Sequence, residues 1–237
     1  MYFDQSEFDL RCEWGLLGLR AVQASADAVV VVDVLSFSTA VDVAVSRGAV
    51  VYPYRWKDDS ARRFAMSKRA LLAGSRKEPG FSLSPSSLLA ISAGTALVLP
   101  SPNGSALSLD VDRLPTFTAC LRNARQVARC AASRGRRIAV IAAGERWEDG
   151  SIRPCVEDLA GAGAVLSQLP GTRSPEAEVA ISAFLAARAR LWETLSRCSS
   201  GRELVEAGFA NDVALAAEYG VSSAVPMMVE GRFEHAA

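Results

Sequence analysis

Short apolar runs recur along the chain at 28–34, 49–54, 96–100, 138–143 and 224–229, each rich in Val, Ile or Leu and bounded by turn residues. Runs of that length predict buried strands. Between them, apolar residues at helical spacing predict helices near 38–47, 58–73, 120–134, 156–169, 175–197 and 210–219. Strands alternating with helices predict an α/β fold: a largely parallel or mixed sheet with helices on both faces, three layers α/β/α. Two stretches interrupt the alternation. Residues 74–92, with Pro, Gly and a serine run, predict an excursion away from the sheet, and residues 169–175 (LPGTRSP) read either as a junction between two closely packed subdomains or as a turn between helices. No internal repeat is present, and one domain over 1–237 is the expectation.

In sheets of this kind a ligand crevice forms beyond the carboxyl ends of the strands, so the residues just after each apolar run carry the chemistry. After the first run stands Asp33, followed by a turn containing Ser36, Ser38 and Thr39, with Ser38 or Thr39 able to cap the next helix. A carboxylate, hydroxyls and backbone N–H groups meeting at one point are the ingredients of a site for phosphate and a hard metal ion. The bland alternative is a capping motif plus a strand-end carboxylate bonded to backbone. Asp42, inside the helix, reads as a solvated or capping-region charge.

After the third run, Ser101-Pro102-Asn103-Gly104-Ser105 predicts a turn in which Asn-Gly permits left-handed backbone and exposes successive N–H groups as an anion-binding concavity, or else an ordinary turn. After the fourth, Gly144-Glu145-Arg146 leads through a polar loop to Glu157 and Asp158 at a helix start. Acids there gain about 0.3 to 1 kcal/mol each from the helix dipole, which is a reason to exist without any metal. Gly161 and Gly163 lack GxGxxG or P-loop spacing and predict close helix packing.

Composition narrows the chemistry. Half of the 237 residues are apolar, enough for a substantial core, and Lys plus Arg balance Asp plus Glu at 26 each, so no basic face for nucleic acid or anionic lipid is expected. The first twenty residues carry acids and no continuous apolar segment, and no later run approaches the roughly 18 residues of a membrane span, which points to a cytoplasmic protein. Five scattered cysteines form no CxxC pair, and the single histidine, His235, is third from the end. Zinc clusters, disulfide frameworks, Ser-His-Asp triads and histidine phosphoenzymes are therefore disfavoured. Cys130 and Arg136 share the spacing of a cysteine-phosphatase loop, but they follow a helix and precede a strand, the reverse of what that cradle needs, so Cys130 reads as a helix-face residue. The aspartyl-phosphatase pattern DxDx[TV] also fails, because Leu35 stands where its second aspartate would.

Six motifs in order give a more specific reading: VVVDVLSFSTA at 30–40, LLAGSRKEPGFSLSPSSL at 71–88, SPNGSAL at 101–107, ACLRNARQVA at 119–128, AAGERWEDGSIRPCVEDLAGAGAVL at 142–166 and NDVALAAEYGVSSAVP at 211–226. In these the sequence resembles the 2-phosphosulfolactate phosphatase (ComB-like) family of magnesium-dependent α/β hydrolases, which remove phosphate from phosphosulfolactate on a route to coenzyme M. The resemblance implies a small anionic phosphorylated substrate and places Asp33, Asn103, Glu157 and Asp158 in the catalytic centre. It further implies Mg²⁺ held by Asp33 and the Glu157/Asp158 pair. Phosphoryl oxygens would be held by backbone N–H groups after Asp33 and around Asn103, Gly104 and Ser105, with Ser36, Ser38, Thr39, Arg76, Asn123 and Glu145 completing the pocket. Metal-bound water and a side chain such as Asp33 both stay open as nucleophile.

Two positions depart from the family pattern. The family usually carries arginine where this chain has Ser36, and Gly-Glu-Arg where it reads Gly74-Ser75-Arg76. A cation and an acid are missing together, which removes a bidentate grip on phosphate or sulfonate. That motivates two alternatives: a non-catalytic relative that binds a phosphorylated or acidic metabolite, and a hydrolase for another organic phosphate. The Ala- and Leu-rich helices at 175–197 and 210–219 suit either core packing or a homodimer interface.

Overall fold

The computed structural model describes residues 2–236. The valine run forms β2 (Ala28–Val32), in which every residue is fully buried. Before it in the chain β1 (Leu10–Trp14) leads into α1 (Gly15–Val22), and after it α2 (Phe37–Ser46) precedes β3 (Val50–Tyr54) and α3 (Asp59–Lys68). The predicted helix at 58–73 stops early. Arg69 takes a left-handed conformation at φ 52° and the chain re-enters the sheet as β4 (Leu71–Leu72). The excursion that follows contains a 3-10 segment, Pro85–Ala90, packed against α2. Then come β5 (Ala96–Pro100), α4 (Gly104–Ser108), β6 (Thr116–Ala119), α5 (Ala124–Ala132) and β7 (Ile138–Ala142).

A small hairpin, β8 (Glu145–Arg146) and β9 (Ile152–Arg153), precedes α6 (Val156–Leu166). The predicted helix at 175–197 is α7 (Pro175–Ala187) and α8 (Leu191–Arg197), separated by a 3-10 turn at Arg188–Arg190. After α9 (Ser199–Glu206) and α10 (Ala210–Ala217), the chain ends in the hairpin β10 (Pro226–Val229) and β11 (Arg232–His235). Strands β1, β6 and β11, and the two-residue strands β4, β8 and β9, lie outside the apolar runs.

The nine-stranded sheet has the order β1-β7-β2-β6-β10-β11-β3-β5-β4. Its first four strands are mutually parallel, as are its last three, and the terminal hairpin pairs antiparallel on each side. Crossing two antiparallel neighbours and the hairpin between them reverses direction, so β3, β5 and β4 run opposite to β1, β7, β2 and β6. The sheet is mixed.

Alternation along β2 separates the two faces. Val30 and Val32 join one core with Leu166, Phe184 and Val213, whereas Val29 and Val31 join another with Leu19, Val22 and Leu107. A third core packs α2 on the other parallel group, with Val41 and Val45 near Leu97, Leu99 and Phe233. Residues 169–175 form the turn that folds α7 back onto α6. The two helices touch so closely that a Cβ on Gly163 would lie 1.9 Å from the Ala180 carbonyl oxygen, which explains a glycine inside a helix. The buried face of α7, with Ala177, Ala180, Ile181 and Phe184, accounts for most of its apolar pattern as core packing.

Candidate active site

The turn after β2 is built around two aspartates from distant parts of the chain. Asp33 accepts hydrogen bonds at Oδ1 from the Phe37 N–H (3.2 Å) and at Oδ2 from the Gly104 N–H (2.9 Å). Asp158, in the first turn of α6, accepts at Oδ1 from the Val34 N–H (2.7 Å) and at Oδ2 from the Gly144 N–H (2.8 Å). Val34 immediately follows Asp33, so folding brings the carboxylates expected at one site to the same loop. Both are buried. Four backbone donors compensate part of their desolvation, but among the described residues no basic side chain bonds either one.

The result is a concentration of negative charge in a low-dielectric setting. Burial, followed by the nearby Glu145 and Glu157 charges, outweighs the two N–H donors and pushes the Asp33 carboxyl from 3.8 up to about 7. Burial, then the charges of Asp33 and Glu157, pushes Asp158 well above its ordinary value. Glu157 is buried one residue before Asp158, and its charge acts on both aspartates and on the Cys198 thiol, which donates to the Leu195 carbonyl (3.1 Å). Burial first, and Glu157 after it, lifts that thiol to about 12, which leaves it an inert neutral group at ordinary pH.

Several expectations about this neighbourhood need correcting. Neither Ser38 nor Thr39 caps α2. The fully buried Ser38 hydroxyl accepts from the Asp33 N–H (2.8 Å) and meets Thr118 Oγ1 (2.7 Å), while the Thr39 hydroxyl donates to the Val34 carbonyl (2.7 Å). Ser38 thereby ties the start of α2 to the sheet, and Thr39 ties it to the loop. Asn103 and Gly104 do not form a left-handed turn. Asn103 sits at φ −102° and Gly104 opens α4, its N–H spent on Asp33. The glycine is needed for space, since a Cβ there would lie 2.2 Å from Phe37 Cδ1 and 2.8 Å from Asp33 Oδ2. Ser105 is fully buried and donates to the Leu99 carbonyl (2.9 Å). The N–H groups of Val34, Phe37, Ser38 and Gly104, expected to hold phosphoryl oxygens, are thus committed to the protein's own oxygens.

Asp42 is not solvated. It is fully buried on α2, paired with Arg122 Nε (2.8 Å) and bonded by the Ser222 hydroxyl (2.6 Å). Asn123 stands just before α5, where its Oδ1 accepts from the Cys120 N–H (2.9 Å) and its buried Nδ2 has no protein partner.

Two clefts open near the aspartate loop. One, about 420 Å³, is lined by Trp14, Asn103, Glu145 and Ile152 among others, which puts the Asn103 and Glu145 positions on its wall. The other, about 660 Å³, is lined by Arg76, Lys77, Pro100 and Phe209 among others. Arg76 donates through Nη2 to the Ser36 hydroxyl (2.7 Å) and to the Leu83 carbonyl (3.4 Å), and pairs through Nη1 with the buried Asp212. Ser36 is thereby reached by an arginine from the excursion. Ser75 is exposed and bonds only within its own turn. Asp212 was not foreseen, because an acid in a first helical turn is satisfied by dipole and capping alone.

The 2-phosphosulpholactate phosphatase model matches residues 19–231, with the aspartate loop, the Asn103 turn and the α6 acids all inside the match. The chain belongs to the 2-phosphosulpholactate phosphatase family. It is 32% identical over 219 residues to a probable 2-phosphosulfolactate phosphatase of Carboxydothermus hydrogenoformans, covering 86% of this chain and 88% of the relative. Proteins named in the same way from Gloeobacter violaceus and Pseudothermotoga lettingae are 28% and 26% identical, each alignment again covering 86% of this chain and 89% and 90% of the relative. The family's members are enzymes of the phosphoric monoester hydrolase class.

Whether the site suits a divalent cation follows from its donors. Among the described residues, no group of three or more His, Cys, Asp or Glu side chains is arranged as a ready-made metal shell. Magnesium does not require one, since it characteristically takes one or two carboxylates together with substrate phosphate oxygens and water. Asp33 and Asp158 each use two of about four carboxylate acceptor sites on backbone N–H groups, so each retains lone pairs. Hard oxygen donors with uncompensated negative charge fit such an ion. Among the described residues no helix is long and apolar enough to cross a membrane.

Proposed function

We propose that the protein is a magnesium-dependent phosphatase acting on 2-phosphosulfolactate or a closely related phosphorylated acid. The observation that carries this reading is the pairing of Asp33 and Asp158, two buried carboxylates that no basic side chain bonds among the described residues, joined through one loop at the end of β2. Buried like charges are costly to assemble, so a fold that assembles them needs a cation to complete them.

Asp33 and Asp158 would hold the ion, with the Glu157 charge beside them rather than in a shared shell of three carboxylates. Its chemistry there would be neutralisation of charge on the transferring phosphoryl group. The residues themselves orient the reaction. Gly104 and Phe37 fix both Asp33 oxygens, and Gly144 with Val34 does the same for Asp158, so neither carboxylate must reorganise during turnover. Asn103 and Glu145 close one side of the loop and Arg76 the other, where its guanidinium supplies positive charge toward an anionic substrate. A cytoplasmic site of action and a place on a route to coenzyme M go with that substrate.

A phosphate-release screen over small phosphomonoesters, with and without Mg²⁺, tests the reading. Turnover of 2-phosphosulfolactate that is lost on chelation and in Asp158→Asn supports it. Ligand binding with no phosphate release under any metal condition would make the protein a non-catalytic relative.

A further inference from the structure

Arg76 is held by a clamp that involves none of the residues bonded to the aspartate pair. Its Nη1 pairs with Asp212 of α10, its Nη2 bonds Ser36 and Leu83, and its guanidinium lies over the Phe209 ring at 5.5 Å. Asp212 is in turn fixed from the other side, its Oδ1 accepting from the Ser84 hydroxyl (2.6 Å) and the Ser86 N–H (3.2 Å). The clamp therefore joins the excursion after β4, the loop after β2 and α10, three segments far apart in the chain.

This arrangement leaves part of the guanidinium unused. Of its five donors, Nε–H and one Nη1 hydrogen have no protein partner among the described residues, and the side chain lines the 660 Å³ cleft beside Lys77. A stacked, pre-oriented arginine with spare donors at a cleft wall suits a planar or tetrahedral oxyanion. Asp33 lies close enough to act electrostatically on the same guanidinium, so the cleft and the aspartate loop are neighbours. Acids also line this cleft: Asp58, which caps α3 through the Ser60 N–H (2.9 Å), Asp59 in the first turn of the same helix, and Glu203, whose charge acts on Arg76. They face four basic side chains on the same wall, Lys57, Arg62, Arg76 and Lys77.

We infer that Asp212 is a positioning residue that aims Arg76 at a second anionic group of the substrate, a carboxylate or sulfonate beside the phosphate-bearing carbon, and so sets discrimination between acid-bearing and neutral phosphate monoesters. This rests on the phosphatase reading above. It assigns the 660 Å³ cleft to the non-reacting end of the substrate.

Asp212→Asn separates the two halves of the clamp. The asparagine Oδ1 keeps the Ser84 and Ser86 bonds, while its amide nitrogen meets Arg76 where a carboxylate oxygen stood. The measurement is the ratio of kcat/KM for 2-phosphosulfolactate to kcat/KM for glycerol 2-phosphate in wild type, Asp212→Asn, Arg76→Gln and Arg76→Lys. The expected result is a fall in that ratio of about tenfold or more in Arg76→Gln, carried by KM, with Asp212→Asn in the same direction and Arg76→Lys between. Equal losses on both esters, or no change in the ratio, overturn the inference. If the wild type hydrolyses neither ester, the phosphatase reading fails separately. Calorimetric binding of 3-sulfolactate then decides: binding in wild type that Arg76→Gln weakens about tenfold or more supports the subsite, and absent or unaltered binding refutes it.

Discussion

Metal-free protein is expected to lose stability as pH rises from about 4 to about 7, opposite to the usual behaviour of carboxylates. Asp33 has a folded-state value raised from 3.8 to about 7, so folding favours its protonated form. The stabilisation is complete below about pH 4 and is gone above about pH 7. Its size is on the order of 4 kcal/mol for Asp33, because each tenfold change in proton affinity is worth about 1.4 kcal/mol. For a chain of this length that corresponds to roughly 10 °C in Tm. Asp158 and Asp42, raised chiefly by burial, contribute with the same sign. The lowered carboxyls, such as Asp9 and Asp110, act below about pH 4 and leave this window clear.

The assay is thermal unfolding across that range in chelator, for wild type and Asp33→Asn. The variant places an amide nitrogen opposite the Phe37 or Gly104 N–H at a pH-independent cost of about 1–3 kcal/mol. The slope with pH, not the absolute Tm, is therefore the readout, and it is expected to be shallower in the variant. A wild-type Tm that is flat or rises between the two pH values, or an unchanged slope in Asp33→Asn, refutes the reasoning.

Mg²⁺ added to the wild type is expected to raise Tm more at about pH 8 than at about pH 5, because it replaces the proton as counter-charge; a pH-independent effect would contradict this. Gly104→Ala forces a Cβ against Phe37 and Asp33 and should lower phosphate release by about a hundredfold by displacing the carboxylate, whereas near-normal kcat would show that the Gly104 contact is dispensable. Gly163→Ala pushes α6 from α7 and should cost about 3 kcal/mol in denaturant unfolding, with no change expected if the helices can slide apart freely. Arg122→Leu leaves Asp42 buried without its cation and should destabilise by about 3–5 kcal/mol, far more than the loss of an exposed pair.

The parts legible in the sequence were those where one physical demand acts alone. An all-valine run between turn residues has no alternative to a buried strand, and Asp33 is conspicuous because it ends that run. By contrast, β1 reads LRCEW, and its Arg11 gives no sign of being fully buried. The guanidinium is satisfied by the Phe8, Val22 and Ser25 carbonyls and the Ser25 hydroxyl, partners that no periodicity reveals. Strand β6, TFTA, is four residues long and runs directly into a helical pattern.

At the site, the acidic pair of α6 was visible, but the turn chemistry after β2 and β5 was not. The Gly104 N–H that would suit an anion cradle is used here to anchor the Asp33 carboxylate, and the Ser38 and Ser105 hydroxyls bond backbone groups of the protein itself. Asp42 and Asp212 were misjudged or missed for a related reason: their partners Arg122 and Arg76 lie 80 and 136 positions away, so only folding shows the charges to be buried and paired.

The most direct measurement is anomalous diffraction from crystals grown with Mn²⁺ and phosphate, for wild type and Asp33→Asn. A single manganese peak within coordination distance of both Asp33 and Asp158, bridging to the phosphate and lost in the variant, is the expected result. Phosphate bound elsewhere with no metal at the aspartate pair would contradict a divalent-cation phosphatase centred on these two carboxylates.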